Sequence, residues 1–183
     1  MAAPFAEFAS VCESIRATRS KNEKVRILAD YLKTLGDDTL KIACIFLSGR
    51  TFPRGSGLDL NAGYSLVWDV IAEVSNMRSN ELREVYLKHG DTGELAEQAL
   101  SRRKMEPLVR TELSLGHIYE QFRKIAATSG HGSTGDKRKI ITGLLVNCSP
   151  AEAKYLVKII LNELRIGLVG GLVELAVAKA FDR

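Results

Sequence analysis

The stretch SPAEAKYLVKIILNELRIGLVGG, residues 149–171, decides the fold because it contains the start, the apolar face and the stop of a helix. Ser149 and Glu152 have the spacing of a capping box, in which each side chain accepts a hydrogen bond from the other residue's backbone N–H. Pro150 suits the first helical position, since its fixed φ is already helical. One apolar face follows at helical spacing, with lysines on other faces: Leu156, Ile159, Ile160 and Leu164, with Lys154 and Lys158.

This helix is predicted to break at Leu164–Gly167, because a second apolar segment begins a few residues later. A glycine at position 167 permits a positive φ and a close approach by another molecule, while Arg165 adds a fixed positive charge. Free amide groups at a helix start attract anions, so the turn suits a phosphate backbone. The alternative is an ordinary corner between two helices that carries a surface arginine.

Positive charge is concentrated in the second half of the chain. The 183 residues have a formal net charge of +4, made up of −2 over residues 1–100 (12 Lys/Arg, 14 Asp/Glu) and +6 over residues 101–183 (14 Lys/Arg, 8 Asp/Glu). The second half includes the basic runs Arg102–Lys104 and Lys137–Lys139. Such asymmetry is typical of a nucleic-acid-binding face, although a basic half that is merely soluble is equally common. The length suits one domain or two small subdomains with a real core.

The cysteines and the apolar runs predict a soluble intracellular domain. Cys12, Cys44 and Cys148 are far apart and form no CxxC pair, so they are interpreted as small buried apolar residues in a reducing compartment. The first ten residues lack the charged and apolar regions of a signal peptide. Charges interrupt every apolar run before the roughly 20 residues that a bilayer requires.

Helical periodicity extends over almost the whole chain and predicts an all-α domain, a compact bundle of roughly ten helices. Ser20 and Glu23 form a second predicted capping box, and Asp37–Asp38 and Ser79 are further predicted caps. Arg50–Gly63 is the one long irregular connection, and another connection contains Pro107. The apolar faces lie within residues 5–15, 25–35, 40–47, 66–74, 82–86, 95–100, 115–125 and 140–145, and a final helix runs to about Ala180.

Two segments of the chain can be superposed as helix, glycine turn and helix. Residues 86–96, around the turn His89–Gly93, lie over residues 160–170 with Gly93 matched to Gly167. Two such turns side by side would present two surfaces of backbone amides that straddle a phosphate ribbon. The similarity between the two segments is short, and similarities of this length also arise by chance.

The glycine-rich segment 130–135 imitates two nucleotide-binding motifs. It matches G-x-G-x-x-G, but the preceding segment 118–128 is predicted to be a helix, whereas a dinucleotide fold requires a strand there. It departs from a Walker A loop because Asp136 stands where that motif requires lysine. The remaining alternatives are a turn whose amides, Ser133 and Lys137 approach phosphates at a helix start, and a plain loop with Asp136 as the helix cap.

Other residue types indicate no catalytic or metal site. His89, His117 and His131 are too scattered to share a metal ion, and His117 is expected on a helix surface. Trp68, Phe5 and Phe8 lie on apolar helical faces, so they are predicted to belong to the core and not to stack on a ligand.

The order of motifs resembles the N-terminal DNA-binding domain of ATP-dependent DNA ligases. The matching pieces occur in collinear order over nearly the whole chain: LSG at 47–49, GDTGELAE at 90–97, IAATSGHGSTGDK at 125–137, SPAEAKYLVKIILNELRIGL at 149–168 and AVAKAF ending at Phe181. The fourth piece is the most specific signature.

The resemblance implies an all-α domain, residues 1–183, with internal pseudo-two-fold character that grips duplex DNA across the minor groove. It implies sequence-independent binding of duplex DNA, preferably nicked, by a monomer with no membrane association, as part of a ligase that acts in replication, repair and recombination. The expected location is the cytoplasm (nucleoid) in a prokaryote and the nucleus in a eukaryote. The predicted DNA-binding residues are Lys88, Gly90, Asp91, Thr92, Gly93, Gly130, Gly132, Ser133, Lys137, Arg138, Arg165, Ile166, Gly167 and Leu168.

A ligase must also have a lysine that attacks ATP, in a K-x-D-G motif of a catalytic domain. No K-x-D-G occurs in this sequence, since Lys88–Asp91 and Gly135–Lys137 have the wrong order. The resemblance implies that the catalytic nucleotidyltransferase and OB-fold domains, with their ATP and Mg²⁺, follow beyond Arg183 in the same polypeptide. The chain alone is therefore expected to need no cofactor and to be inactive in ligation.

A helical protein-interaction scaffold of similar build is the alternative function. An exposed apolar groove would favour the scaffold, whereas a basic stripe lined by glycine turns would favour DNA binding.

Overall fold

The computed structural model describes residues 3–103, 109–130 and 132–181. Within these ranges the chain forms ten α-helices, and its only β-type pairing is an isolated bridge between Pro4 and Ser114. The all-α prediction is therefore confirmed. The helices are α1 (Phe5–Ala17), α2 (Lys21–Leu32), α3 (Asp37–Leu47), α4 (Tyr64–Ser75), α5 (Ser79–His89), α6 (Thr92–Ser101), α7 (Leu115–Ala127), α8 (Ser133–Asn147), α9 (Pro150–Ile160) and α10 (Gly170–Ala180).

Four residues named above, Lys104, Pro107, His131 and Arg183, lie outside the described ranges. Among the described helices, none is both long and apolar enough to cross a membrane. The long irregular connection is confirmed, because the chain has no helix between the end of α3 and the start of α4.

The start of α9 confirms the capping box. The Ser149 hydroxyl accepts a hydrogen bond from the Glu152 N–H at 3.3 Å, and the Glu152 carboxylate accepts one from the Ser149 N–H at 2.8 Å. Two donors that the first turn would leave unpaired are thereby satisfied. Pro150 is the first residue of the helix, as predicted.

The other predicted caps are corrected by the structure. Ser20 accepts from the Glu23 N–H, but the Glu23 carboxylate binds the Arg26 guanidinium at 2.7 Å, so only half of that box forms. The cap of α3 is Gly36, without a side-chain hydrogen bond. α5 begins at Ser79 itself, after Arg78.

The core centres on aromatic rings from α1, α3 and α7. Phe8 and Phe46 lie 6.2 Å apart, and Phe46 and Phe122 lie 5.7 Å apart, between ring centroids in edge-on geometry. Phe5 and Phe8 are fully buried, as predicted. Trp68 is only half-buried and packs edge-on against Tyr86 at 5.5 Å, so it lies at the margin of the core.

Two of the cysteines are small buried residues, as predicted. Cys12 and Cys148 are buried and Cys44 is half-buried, and no disulfide joins them. Burial raises the pKa of each thiol, because a thiolate is poorly solvated in an apolar environment.

The helix order contains a structural repeat. The first repeat is α1–α4, the second is α7–α10, and α5 and α6 lie between them. α1 and α7 each have 13 residues, and α3 and α9 each have 11. The packing is exchanged between the repeats: α1 contacts α9 and α7 contacts α3, while α2 contacts α10 and α8 contacts α4. This reciprocal pattern is a pseudo-two-fold relation that spans whole repeats.

The specific match of Gly93 with Gly167 is wrong. Gly167 has a φ of 72°, but Gly93 lies inside the first turn of α6 without a positive φ. A Cβ on Gly93 would lie 2.9 Å from the Lys154 carbonyl oxygen, so this residue is small because α6 and α9 pack closely there. The counterpart of Gly167 is Asn61, with a φ of 46°, because each stands three positions before the first residue of the fourth helix of its repeat.

Candidate nucleic-acid interface

We call Leu164–Leu168 the basic turn. α9 ends at Ile160, four residues earlier than its apolar face suggested, and the turn follows in an alternating pattern. Leu164 and Ile166 are buried, whereas Arg165 and Gly167 are exposed. Gly167 adopts the positive φ that glycine permits, and Arg165 also has a positive φ, of 47°. A non-glycine residue in this region is strained, so tertiary contacts must hold the turn.

Several contacts fix the basic turn from beneath. The Lys24 ammonium on α2 donates to the carbonyl oxygens of Ile166 and Gly167, at 3.1 Å each. A Cβ on Gly167 would force that ammonium to shift from its position between the two carbonyl oxygens. On the other side, Leu164 lies against Gly49, at the end of α3.

Glu163 joins the basic turn to the first repeat. One of its carboxylate oxygens accepts from the Arg165 guanidinium at 2.8 Å and from the Tyr64 hydroxyl at 2.5 Å. Tyr64 is the first residue of α4, so the segments before α4 and α10 meet at this point. Hydrogen bonding to Glu163 raises the pKa of the Tyr64 hydroxyl.

The basic turn presents unpaired donors. Among the described residues, no acceptor receives a hydrogen bond from the backbone N–H groups of residues 165–168. Four consecutive unpaired N–H groups beside an exposed guanidinium provide the chemistry that binds an anion.

We call Leu58–Ala62 the acidic turn, the counterpart of the basic turn in the first repeat. Leu60 is buried, and its carbonyl oxygen accepts from the Lys137 ammonium on α8 at 2.8 Å. Asp59 stands where the basic turn has Arg165, and its carboxylate accepts from the Asn61 N–H at 2.6 Å. This turn therefore has a negative charge, and two of its amides are already paired, since the Leu58 N–H donates to the Ser56 hydroxyl at 3.3 Å.

A concave surface lies between the end of α3 and the acidic turn. It encloses about 580 Å³ and is lined by residues 48–59 together with Asn162. The Asn162 amide oxygen accepts from the Thr51 N–H at 3.3 Å and thereby ties the long connection to the end of α9. Arg54 is exposed and Arg50 is half-buried on this surface.

At the start of α8, the glycines are exposed, but Lys137 and Arg138 are each paired within the protein. Gly130 and Gly132 both have a φ of 88° and are exposed, and α8 begins at Ser133 with Gly132 as its cap. Lys137 is only 8% exposed and its ammonium is bound to Leu60, so it does not face solvent. Arg138 is exposed and donates to Glu73 at 2.8 Å.

The nucleotide-motif interpretations of this loop do not fit the structure. The helix α7 precedes the loop where a dinucleotide fold needs a strand. Asp136 lies in the first turn of α8 and pairs with Lys139, so it is not the cap. His117 is exposed on α7, as predicted, and among the described residues no group of three or more His, Cys, Asp or Glu side chains could hold a metal ion.

Some of the predicted residues at the α5–α6 corner are exposed, and the others are buried or paired within the protein. Lys88 and Gly90 are exposed, and Gly90 ends α5 with a φ of 63°. Asp91 caps α6 and also binds the buried Lys158 ammonium at 2.5 Å. Burial alone would raise the pKa of Asp91, but the hydrogen bond and the charge of Lys158, together with hydrogen bonds from the backbone N–H groups of Glu94 and Gly93, outweigh it and lower the pKa. Thr92 and Gly93 are buried.

The sequence places Lys154 outside the apolar face of α9, but its side chain is only 2% exposed. It forms ion pairs with three carboxylates. Its ammonium lies 2.5 Å from Glu13, 3.0 Å from Glu94 and 3.2 Å from Glu97. Burial would raise the pKa of Glu94, but Lys154 and Arg16 lower it. Burial raises the pKa of Glu97, with the nearby Glu94 adding to the effect against Lys154.

The burial of lysines reduces the basic surface. Lys137, Lys154 and Lys158 belong to the half of the chain with the positive excess, yet each is at most 8% exposed. The net charge of that half is therefore an overestimate of the charge that a ligand would meet.

Comparison with known proteins tests the family resemblance that the sequence motifs suggest. A family model described as "DNA ligase N terminus" matches residues 4–178. This chain belongs to that family. The ligase N-terminal domain is 34% identical over 178 residues to a DNA ligase of Archaeoglobus fulgidus, covering 97% of the chain and 32% of the relative. It is 39% identical over 175 residues to a probable DNA ligase of Koribacter versatilis, covering 96% of the chain and 29% of the relative.

The ligase N-terminal domain spans about a third of the length of these relatives. A DNA ligase of Methanoculleus marisnigri gives the same proportions, with 35% identity over 178 residues, 97% of the chain and 32% of the relative.

Sequence reasoning missed two features of the interface, the buried lysine under each turn and the acidic turn itself. Both have a sequence signal. Ser20–Lys24 and Ser133–Lys137 share the pattern S-x-x-[ED]-K, and LDLN at 58–61 parallels LRIG at 164–167. These patterns are too short to be recognised without the reciprocal helix packing that places them.

Proposed function

We propose that this domain binds duplex DNA without reading its sequence, through the sugar–phosphate backbone and the shape of the minor groove. The observation that carries the proposal is the basic turn, which combines an exposed Arg165 with unpaired backbone N–H groups in a member of the ligase family. Arginine and backbone N–H groups donate to phosphate oxygens, and such contacts position a protein without specifying bases.

The proposed surface extends from the basic turn to the concave surface. Arg50 and Arg54 supply further positive charge there, and the exposed Val169 can lie against deoxyribose. Secondary phosphate contacts are proposed for the predicted residues that face solvent, at least in part: Lys88, Gly90, Gly130, Gly132, Ser133 and Arg138.

Four predicted residues serve the fold in this proposal. Thr92, Gly93 and Lys137 are buried, and Asp91 is a negative residue that binds Lys158. Ile166, also buried, contributes only its backbone.

The proposed biological role is that of the non-catalytic N-terminal part of an ATP-dependent ligase that seals nicks in replication, repair and recombination. Its partners in this role are nicked duplex DNA and the catalytic part of the same polypeptide, which would bind ATP and Mg²⁺. The domain itself is proposed to be a monomer, located with the DNA of the cell, in the nucleoid or in the nucleus.

The test is a titration of the purified chain against intact and nicked duplexes of two unrelated sequences, at several salt concentrations, by fluorescence anisotropy. We expect similar affinity for both sequences and a fall in log affinity of about 0.9 for each phosphate contact per unit of log salt. A flat salt response, or a strong preference for one sequence, would contradict the proposal. Failure to bind any duplex would favour the protein-interaction scaffold.

Catalysis is tested with labelled ATP. Because the sequence has no K-x-D-G lysine, the purified chain should remain unlabelled and nicked DNA should remain unsealed. Covalent AMP on the chain would refute the proposed division between binding and catalysis.

A further inference from the structure

Two buried lysines have no carboxylate partner among the described residues. Lys24 on α2 and Lys137 on α8 are each 8% exposed, and their ammonium groups donate only to backbone carbonyl oxygens. A buried ammonium is costly unless hydrogen bonds replace its hydration. Each lysine bonds to a turn of the other repeat, so it has a structural reason to be there.

Lys24 and Lys137 are equivalent in the repeat. Each lies in the first turn and a half of the second helix of its repeat and follows an acidic residue, Glu23 or Asp136. Each bonds the carbonyl of the buried apolar residue of the opposite turn, Ile166 or Leu60.

The two lysines have different consequences for the amides of their turns. In a planar trans peptide the C=O and the N–H point in opposite directions. Lys24 holds the carbonyls of Ile166 and Gly167, which belong to the same peptide units as the N–H groups of Gly167 and Leu168. Those two N–H groups therefore point away from the ammonium, and no described acceptor receives them.

At the acidic turn the same geometry has a different result. Lys137 holds the Leu60 carbonyl, so the Asn61 N–H points away from it. That N–H already donates to the Asp59 carboxylate at 2.6 Å. The Asn61 N–H is thus already paired within the turn, so the hydrogen bond from Lys137 leaves no unpaired N–H in that peptide unit.

We propose that Lys24 is a positioning residue for DNA binding, which orients the N–H groups of Gly167 and Leu168 toward a backbone phosphate, and that its equivalent Lys137 only stabilises the fold. The inference rests on the proposed function of the basic turn and adds the residue that orients it. Lys24 does not itself contact the phosphate, because its ammonium lies beneath the turn.

The experiment compares Lys24→Met, Lys24→Arg and Lys137→Met with the parent chain. Methionine keeps the length of the side chain and removes the donor, and Lys137→Met is the matched control for the loss of a buried ammonium. Thermal unfolding first establishes a temperature at which every variant is folded, and affinity for a nicked duplex is then measured there by anisotropy over a series of salt concentrations.

We expect Lys24→Met to bind DNA roughly tenfold more weakly, the scale of one hydrogen bond to a charged group. Lys137→Met should lose thermal stability to a similar extent but bind within about twofold of the parent, a difference too small to reflect a lost hydrogen bond. Lys24→Arg should recover part of the affinity, since a guanidinium can still donate to the carbonyls.

The salt dependence separates positioning from direct contact. An N–H group that binds phosphate releases no counterion of its own, so Lys24→Met should have the same salt slope as the parent. If Lys24 contacted a phosphate directly, its loss would reduce the slope by about 0.9. A reduced slope, unchanged affinity of folded Lys24→Met, or equal losses in Lys24→Met and Lys137→Met would each overturn the inference. Failure of the parent chain to bind DNA would instead refute the proposed function.

Discussion

The two repeats share one framework and differ in the charges placed on it. In both, a buried lysine from the opposite repeat holds an apolar residue of the turn before the last helix. The exposed position beside it is Asp59 in the first repeat and Arg165 in the second. The third helices also differ, because Lys154 of α9 is 2% exposed whereas Lys41, at the same position of α3, is 73% exposed. The framework thus determines geometry, and a few side chains determine the charge that each turn presents.

The largest expected effect concerns the third helices. Lys154→Met leaves Glu13, Glu94 and Glu97 with Arg16 as the nearby cation, which should lower the free energy of unfolding by about 3 kcal/mol. Lys41→Met removes one exposed pair with Asp38 and should cost less than about 0.5 kcal/mol. Denaturant unfolding of both variants measures the difference.

The folded fraction of Lys154→Met should bind DNA like the parent, because the lysine lies away from the basic turn in α9. Equal costs in the two variants would show that α3 and α9 are not in different environments.

The next effect concerns Gly167 and Asn61, the equivalent residues of the two turns, which both have a positive φ. Gly167→Val combines an unfavourable φ with a collision against the Lys24 ammonium, so it should destabilise the fold by about 2 kcal/mol and weaken DNA binding more than tenfold. Asn61→Val has the unfavourable φ at the acidic turn, which has Asp59 in place of Arg165 and whose Asn61 N–H is already paired, so it should destabilise by about 1 kcal/mol and change DNA affinity little.

Thermal unfolding and anisotropy on the same samples distinguish these outcomes. If Gly167→Val lost stability but its folded fraction bound DNA normally, the basic turn would be only a corner between helices.

A smaller effect is expected for the exposed charges. Arg165→Ala should weaken binding to all duplexes by about 1 kcal/mol and lower the salt slope by about 0.9, since it removes one screened phosphate contact. Asp59→Ala should act in the opposite direction and more weakly, because it removes a negative charge near the same surface. Anisotropy at two salt concentrations measures both, and a loss of affinity in Asp59→Ala would contradict the assigned difference between the turns.

The last effect is a pH dependence at the contact between α9 and the cap of α6, for which α3 has no counterpart. Lys158 of α9, which stands where α3 has Ile45, lowers the pKa of Asp91. A lowered folded-state pKa contributes stability that is present above the ordinary Asp pKa of about 3.9 and is lost as the pH falls through the folded value. Asp91→Asn should therefore cost about 1 kcal/mol near neutral pH and progressively less below about pH 4.

Urea denaturation of the parent and of Asp91→Asn from pH 7 to pH 3 checks this expectation. A stability difference that stayed constant over the range would mean that the Asp91 carboxylate acts by its shape and not by its charge.

The sequence alone determined the all-α class, most helix positions, the cap at Ser149, a glycine turn at position 167 that permits a positive φ, and the family. These features follow from local causes: a helical period, a cap within three residues and the steric freedom of glycine. They also follow from motifs that can be recognised without knowledge of packing.

Only the tertiary structure decided which lysines are buried, that Gly93 belongs to a helix contact, and that Asn61 is the counterpart of Gly167. Lys24 and Ile166 are 142 positions apart, and Lys137 and Leu60 are 77 apart. The burial of a charged side chain depends on which helices from remote parts of the chain pack against it. The periodicity within one helix does not indicate which helices these are.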